Sequence, residues 1–234
     1  LSIGPHYAGV AFTPEDFHIC SDREDEHPET ADMTMTPLKI GEFLLFKSFL
    51  DRAAQEQLRD QTRNIAIEAP LTRYETPGGR PMRVRMTAAG NVGWVSDAQG
   101  YRYAATHPSG MPWPPIPAEL LDIWKKVAGH AVQPDTCLIN YYDGDAKMGL
   151  HQDRDEADLT APVVSISLGD TALFRIGGKE RGGPTQTVLL ESGDILVMGG
   201  AARLCFHGVD WIRHKSSTLL KNGGRINLTL RKAT

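Results

Sequence analysis

The chain has 234 residues, 41% of them apolar and 23% charged, with a formal net charge of −4. This suits one large domain or two small ones with a core of ordinary size, and it excludes a wholly disordered chain. No apolar run approaches the ~18 residues that a membrane-spanning helix needs, and three well-separated cysteines, Cys20, Cys137 and Cys205, offer neither a disulfide framework nor a zinc cluster.

Residues 1–36 read as an acidic, flexible tail. They hold eight acidic side chains and one basic one, and the run SDREDEHPETAD at 21–32 has almost nothing to bury. No charged segment leads into an apolar run there, so no signal peptide is expected. The remainder carries 21 acidic and 24 basic groups, a mild basicity that permits a polyanionic partner without demanding one. The cytoplasm is the expected compartment, with no membrane association and a monomer as the default.

Ordered structure is expected to begin near Leu38. LKIGEFLLF at 38–46 predicts one strand. Residues 50–65 predict a helix, with Leu50, Ala54, Leu58 and Ile65 at helical spacing and Asp51 at the positive end of its dipole. Residues 71–76 and 81–87 read as strand-like pieces on either side of a Pro77-Gly78-Gly79 turn. Arg73, Arg80, Arg83 and Arg85 face one acid there, Glu75, and suit either phosphates or plain solvent. Residues 90–116, with Trp94, Tyr101, Tyr103 and Trp113 among prolines and glycines, are expected to be irregular. A second helix has Pro117 in its first turn, an apolar face of Leu120, Leu121, Trp124, Val127 and Ala128, and Gly129 at its end. From 136 onward short strands separated by glycine-containing turns are expected at 136–142, 163–168, 171–176, 187–191, 194–198, 203–207 and 225–231, the pattern of a sandwich or barrel.

Candidate chemistry lies in this second half. In KMGLHQDRD at 147–155, His151 and Asp153 are two apart, so on extended chain they share a face and suit a divalent metal. Alone, the pair is as readily an exposed polar turn. His207, at the end of RLCFH, is the candidate third ligand, with a satisfied core histidine as the competing reading. Two imidazoles and a carboxylate form a facial triad that leaves positions open on ferrous iron. RINLTLR at 225–231 puts Arg225, Asn227, Thr229 and Arg231 on one face and Ile226, Leu228 and Leu230 on the other. Two guanidiniums on a concave surface call for anions, and a dicarboxylate would meet both. An exposed edge strand is the competing reading. LINYY at 138–142 likewise aligns Leu138, Asn140 and Tyr142.

The order N-x-Y, H-x-D, a distant H and R-x-N-x-T-x-R resembles the AlkB family of Fe(II)- and 2-oxoglutarate-dependent dioxygenases over roughly residues 37–234. The stretch CLINYYDGDAKMGLHQDRDEADL at 137–159 carries the resemblance most specifically. It implies a mainly β fold with some α: a double-stranded β-helix (jelly-roll) core over 136–234, and an N-terminal α/β extension and nucleotide-recognition lid over 37–135, the two forming one compact unit. It implies Fe(II) on His151, Asp153 and His207, O2 as oxidant, and 2-oxoglutarate held by Leu138, Asn140, Tyr142, Arg225, Asn227 and Arg231. Alkylated DNA, or RNA, is implied as partner, contacted by Met86, Trp94, Tyr101, Arg102 and Tyr103 of the lid and by Asp155 and Arg181. Asp155 joins the catalytic set because a base alkylated at its Watson–Crick nitrogen is cationic.

The implied reaction is oxidative demethylation of 1-methyladenine- and 3-methylcytosine-type bases, yielding succinate, CO2 and formaldehyde in direct-reversal repair. A dioxygenase of the same chemistry acting on a protein or a small molecule is the alternative. Met198 stands where bacterial members of the family carry a tryptophan, a difference expected to alter a cavity or gas path beside the iron.

Overall fold

The structure, a computed structural model, describes residues 36–234, so the acidic stretch read as a tail lies outside the described residues except for Thr36. The elements run β1 (Leu38–Ile40), β2 (Phe43–Phe46), α1 (Arg52–Glu68), β3 (Arg85–Gly90), β4 (Gly93–Asp97), β5 (Gly100–Ala104) and α2 (Ala118–Val127). Then follow β6 (Thr136–Tyr142), β7 (Met148–His151), β8 (Val163–Gly169), β9 (Thr171–Ile176), β10 (Gln186–Leu190), β11 (Ile195–Met198), β12 (His207–Arg213) and β13 (Arg225–Arg231). Seven strands form one sheet in the order β1-β2-β11-β8-β13-β6-β3, four form a second in the order β10-β9-β12-β7, and β4 and β5 form a hairpin. The pairings are antiparallel, and the two larger sheets give the double-sheet arrangement of a jelly roll. Strands β1, β2 and β3 from the first half extend the sheet built by the second half.

Strand alternation builds the layers. Ile139, Ile166, Ile226, Leu228 and Leu230 leave the larger sheet on one face and pack with Leu58 and Ile65 of α1 and Leu120, Ile123 and Trp124 of α2. The other face sends Leu138, Tyr142, Val163 and Met198 toward Phe174, Ile176, Leu190 and Val209 of the smaller sheet. The helices thus cover one side of the larger sheet and leave its other side for the cleft between sheets. Asp51 caps α1 by accepting the Ala54 N–H at 2.8 Å. Among the described residues no helix is long and apolar enough to cross a membrane.

Several expected elements differ. The segment 38–46 is a hairpin rather than one strand, because Gly41 takes φ +57° and turns the chain. Of the pieces at 71–76 and 81–87, regular pairing starts only at Arg85, with isolated bridges Thr72 to Met86 and Glu75 to Pro81 before it. The stretch 90–116 is not wholly irregular: β4 and β5 lie within it, Trp94 opposite Tyr103. Its density of proline and glycine hid two short strands. The segment 203–207 is not a strand. A short 3-10 turn at 200–202 leads into irregular chain, and pairing begins at His207 and runs on to Arg213. Arg203 explains this, since its guanidinium turns inward to backbone carbonyls instead of joining a ladder. Strand β7 was not expected. It pairs with β12 across Gly208, where a Cβ would stand 2.6 Å from the Met148 carbonyl oxygen.

Buried aspartates pin the loops that feed these strands. Asp170, 1% exposed, accepts the backbone N–H groups of Lys215 at 3.1 Å, Ser217 at 3.1 Å and Gly224 at 2.8 Å, and so sets the entry to β13. Asp170→Ala leaves three donors without an acceptor at ~1 kcal/mol or more each, an expected loss of about 3 kcal/mol. Calorimetry is expected to record a melting temperature lower by roughly 6–12 °C, and a shift under about 2 °C would mean the loop is held by other contacts.

Candidate active site

Residues from both sheets and from the β4–β5 hairpin line a cavity of about 350 Å³. The larger sheet contributes Leu138, Asn140, Tyr142, Arg225, Asn227, Thr229 and Arg231, the alternate residues read from the sequence as one face. The edge-strand reading of β13 fails, since β13 lies between β6 and β8.

His151 ends β7 and His207 begins β12, and the two are direct partners across that ladder. Their rings lie 4.5 Å apart. Asp153 follows two residues after His151, and its two oxygens stand 3.7 Å from His151 Nε2 and 3.7 Å from His207 Nε2. One donor atom from each residue falls within 4.8 Å of the others. Each Nδ1 lies against a backbone carbonyl, Gly149 at 2.9 Å and Cys205 at 3.0 Å. With the proton on Nδ1, both Nε2 lone pairs face Asp153. Burial pushes His207 down to about 4, which keeps it neutral. Burial alone would raise the Asp153 carboxyl, but Arg231 and the two imidazoles hold it well below the usual carboxylate range. Two imidazoles and one carboxylate in this arrangement fit Fe(II), with coordination positions left free.

The two arginines of β13 differ. Arg231 donates from Nη2 to Asp153 Oδ2 at 2.8 Å, and its Nε stands 3.4 Å from Glu156 Oε1. The expectation that one ligand would satisfy both guanidiniums is therefore modified: the chain's own acids already meet Arg231. Among the described residues Arg225, 1% exposed, meets no carboxylate. It donates to Ser167 Oγ at 2.7 Å and to the Leu190 and Asp170 carbonyls, and its Nε has no hydrogen-bond partner. Burial pushes Arg225 down to about 10 and Tyr142 up to about 12. Among the described residues Asn140 Oδ1 also has no partner, whereas Asn227 is tied to Ser165 and Thr229. A buried cation without a counter-ion, beside a phenol and an amide, is a fitted site for an anionic ligand.

The residues expected to meet a nucleobase divide. Met86, Trp94 and Tyr101 line the cavity. Trp94 stacks on Tyr101 with ring centroids 5.4 Å apart, and its indole N–H donates to Asp155 Oδ2 at 3.1 Å. Tyr103 does not line the cavity; its hydroxyl donates to Glu156 Oε1 at 2.6 Å. Arg102 does not line it either. Strand alternation carries it away from Tyr101, and it pairs with Asp97 at 2.8 Å. Arg181 lies over the Phe206 ring, 5.0 Å from its centroid and outside the cavity lining. Of the arginines weighed for phosphate contacts, Arg83 pairs with Asp145 and Arg85 with Asp143.

Sequence reasoning missed Glu156, Arg203 and Ser167. Glu156 Oε2 accepts from Arg203 at 2.9 Å, and Arg203 also holds the Asp153 and Ala161 carbonyls, which shapes the loop after β7. Glu156 lies within the stretch 137–159 and Arg203 opens RLCFH, but spacing alone does not pair residues 47 positions apart.

Comparison with known proteins agrees with this geometry. The sequence model of the 2OG-Fe(II) oxygenase superfamily matches residues 42–231. The chain is 53% identical over 192 residues to the alpha-ketoglutarate-dependent dioxygenase AlkB homolog of Caulobacter vibrioides, covering 82% of this chain and 87% of that protein. It is 41% identical over 202 residues to the alpha-ketoglutarate-dependent dioxygenase AlkB of Escherichia coli, covering 84% and 92%. The solved structure titled "The structure of OsALKBH1" superposes with a TM-score of 0.70 at 32% identity, covering 83% of this chain and 98% of that one.

Asp153→Ala and His207→Ala are expected to weaken Fe(II) binding at least about a hundredfold, more than loss of an outer contact does. Anaerobic calorimetry measures this, with circular dichroism confirming the fold. Near-native Fe(II) affinity in a folded Asp153→Ala protein would place the metal elsewhere.

Proposed function

The chain belongs to the AlkB family of Fe(II)- and 2-oxoglutarate-dependent dioxygenases, and we propose that it removes methyl groups from ring nitrogens of 1-methyladenine- and 3-methylcytosine-type bases in DNA, and in RNA as a second substrate. One observation carries this reading. A single cavity joins the His151–Asp153–His207 cluster, the unpaired cation Arg225 and the stacked rings of Trp94 and Tyr101 beside Asp155. We place the protein in the cytoplasm, acting as a monomer.

His151, Asp153 and His207 would hold the iron. The chemistry that Fe(II) supplies when bound is oxidation of an N-methyl group by O2, coupled to conversion of 2-oxoglutarate into succinate and CO2, with formaldehyde leaving the base. Arg225 and Tyr142 bind the distal carboxylate of 2-oxoglutarate. Asn140 and Asn227 orient that ligand, and Leu138 gives an apolar wall. The substrate base leaves its stack to reach this depth. Trp94 and Tyr101 form the aromatic platform that receives it, at a gain of ~1–3 kcal/mol per stacked base. Asp155 favours the cationic alkylated base over the neutral repaired one, and Met86 packs against the cavity floor.

Incubation with Fe(II), 2-oxoglutarate and oligonucleotides bearing 1-methyladenine or 3-methylcytosine is expected to give unmodified bases by mass spectrometry, with matching succinate and formaldehyde. Succinate release that no methylated DNA or RNA stimulates would favour a protein or small-molecule substrate. Arg225→Ala removes one side of a buried charged pair, at about 2–5 kcal/mol. The apparent KM for 2-oxoglutarate is then expected to rise roughly thirtyfold or more, with a much smaller change for the oligonucleotide. An unchanged requirement for 2-oxoglutarate would assign the distal carboxylate to another group.

A further inference from the structure

Behind the cavity four charged side chains are buried together, two acids against two bases. Asp153, Glu156, Arg203 and Arg231 are each no more than 8% exposed. Glu156 is their hub. Its Oε1 accepts from the Tyr103 hydroxyl at 2.6 Å and its Oε2 from Arg203 at 2.9 Å. Arg231 stands between Glu156 and Asp153, 3.4 Å from the first and 2.8 Å from the second. The Asp153 oxygen that takes Arg231 is also the one 3.7 Å from His207. A continuous line of polar contacts therefore runs from Tyr103 through Glu156 and Arg231 to Asp153. Its outer end is on the hairpin, where Tyr103 is the register partner of Trp94, a residue of the cavity wall.

We infer that Glu156 is a positioning residue that couples the β4–β5 hairpin to the metal centre through Arg231. A divalent cation on Asp153 takes up part of the negative charge that now holds Arg231. The guanidinium then leans further on Glu156, for which its Nε is already placed and without a hydrogen-bond partner. Glu156, held on both oxygens, becomes a more rigid acceptor for Tyr103, and the hairpin is steadied. Linkage makes the effect reciprocal: steadying the hairpin tightens metal binding by the same factor. That a seated base is what steadies the hairpin rests on the function proposed above; the path from metal to hairpin does not.

The test is hydrogen exchange of residues 93–104 in the full chain, with and without Mn(II) and 2-oxoglutarate. In the unaltered protein, saturating Mn(II) is expected to slow exchange there at least about fivefold, the lower end of ordinary allosteric coupling. Tyr103→Phe removes one hydroxyl and keeps the ring, and is expected to cut this metal-dependent slowing below about twofold. Glu156→Gln is expected to do the same and also to weaken Mn(II) binding about tenfold, because Arg231, which contacts the metal ligand Asp153, loses its second carboxylate partner and leans on Asp153 instead. If Glu156→Gln does not fold, Tyr103→Phe decides. A Tyr103→Phe protein that exchanges faster by one common factor with and without Mn(II) has lost only a structural bolt, and that result overturns the coupling. So does an unaltered protein whose hairpin ignores Mn(II). No nucleic acid enters the measurement, so its outcome is separate from that of the demethylation assay.

Discussion

A carboxylate that must stay charged away from water is the constraint around which the site is built. Asp153 is 8% exposed, and burying such an ion costs on the order of several kcal/mol unless it is paired. Arg231 from β13 supplies the charge, while His151 and His207 arrive from the paired strands β7 and β12. Each needs a different part of the fold. Arg231 needs the larger sheet, the histidines need the smaller one, and the loop holding Asp153 needs Arg203 on its carbonyl. The cluster therefore exists only when both sheets are assembled.

The same strand carries the contrast that separates structure from binding. Six residues apart on β13, Arg231 is neutralised by the protein and Arg225 is not. An ion pair completed inside the fold stabilises the assembly, whereas a buried cation given only a hydroxyl and carbonyls is costly until an anion arrives. The fold tolerates that cost because Ile226, Leu228 and Leu230 on the other face of the strand lie in the helix-covered core. Burial of those side chains is worth roughly 1.5–3 kcal/mol each.

The legible part of the site was the part governed by local geometry. Period-two alternation in RINLTLR and LINYY placed Arg225, Asn227, Thr229, Arg231, Leu138, Asn140 and Tyr142 on one surface, and all seven line the cavity. The spacing of His151 and Asp153 also put two donors close together, although Asp153 lies just past the end of β7. Alternation failed where the chain turns within a few residues. Gly41 split one expected strand into two, and the inward turn of Arg203 displaced another toward His207–Arg213. It failed again for the lid. Tyr101 and Tyr103 share strand parity, yet one faces the cavity and the other reaches Glu156, because the hairpin closes on a core that its own residues do not specify.

By itself the sequence determined which side chains can share a face and which chemistry they carry: an imidazole and a carboxylate two residues apart, two guanidiniums on one strand face, and a phenol aligned with an amide. These follow from covalent geometry, which repeats every two residues in a strand whatever surrounds it. Only the tertiary structure decided which charges meet. His207 reaches Asp153 from 54 positions away, Arg231 takes Asp153 and leaves Arg225 free, and Glu156 joins Tyr103 to Arg203. Electrostatic pairing depends on distance and on exclusion of water, and both are set by how the sheets close on one another.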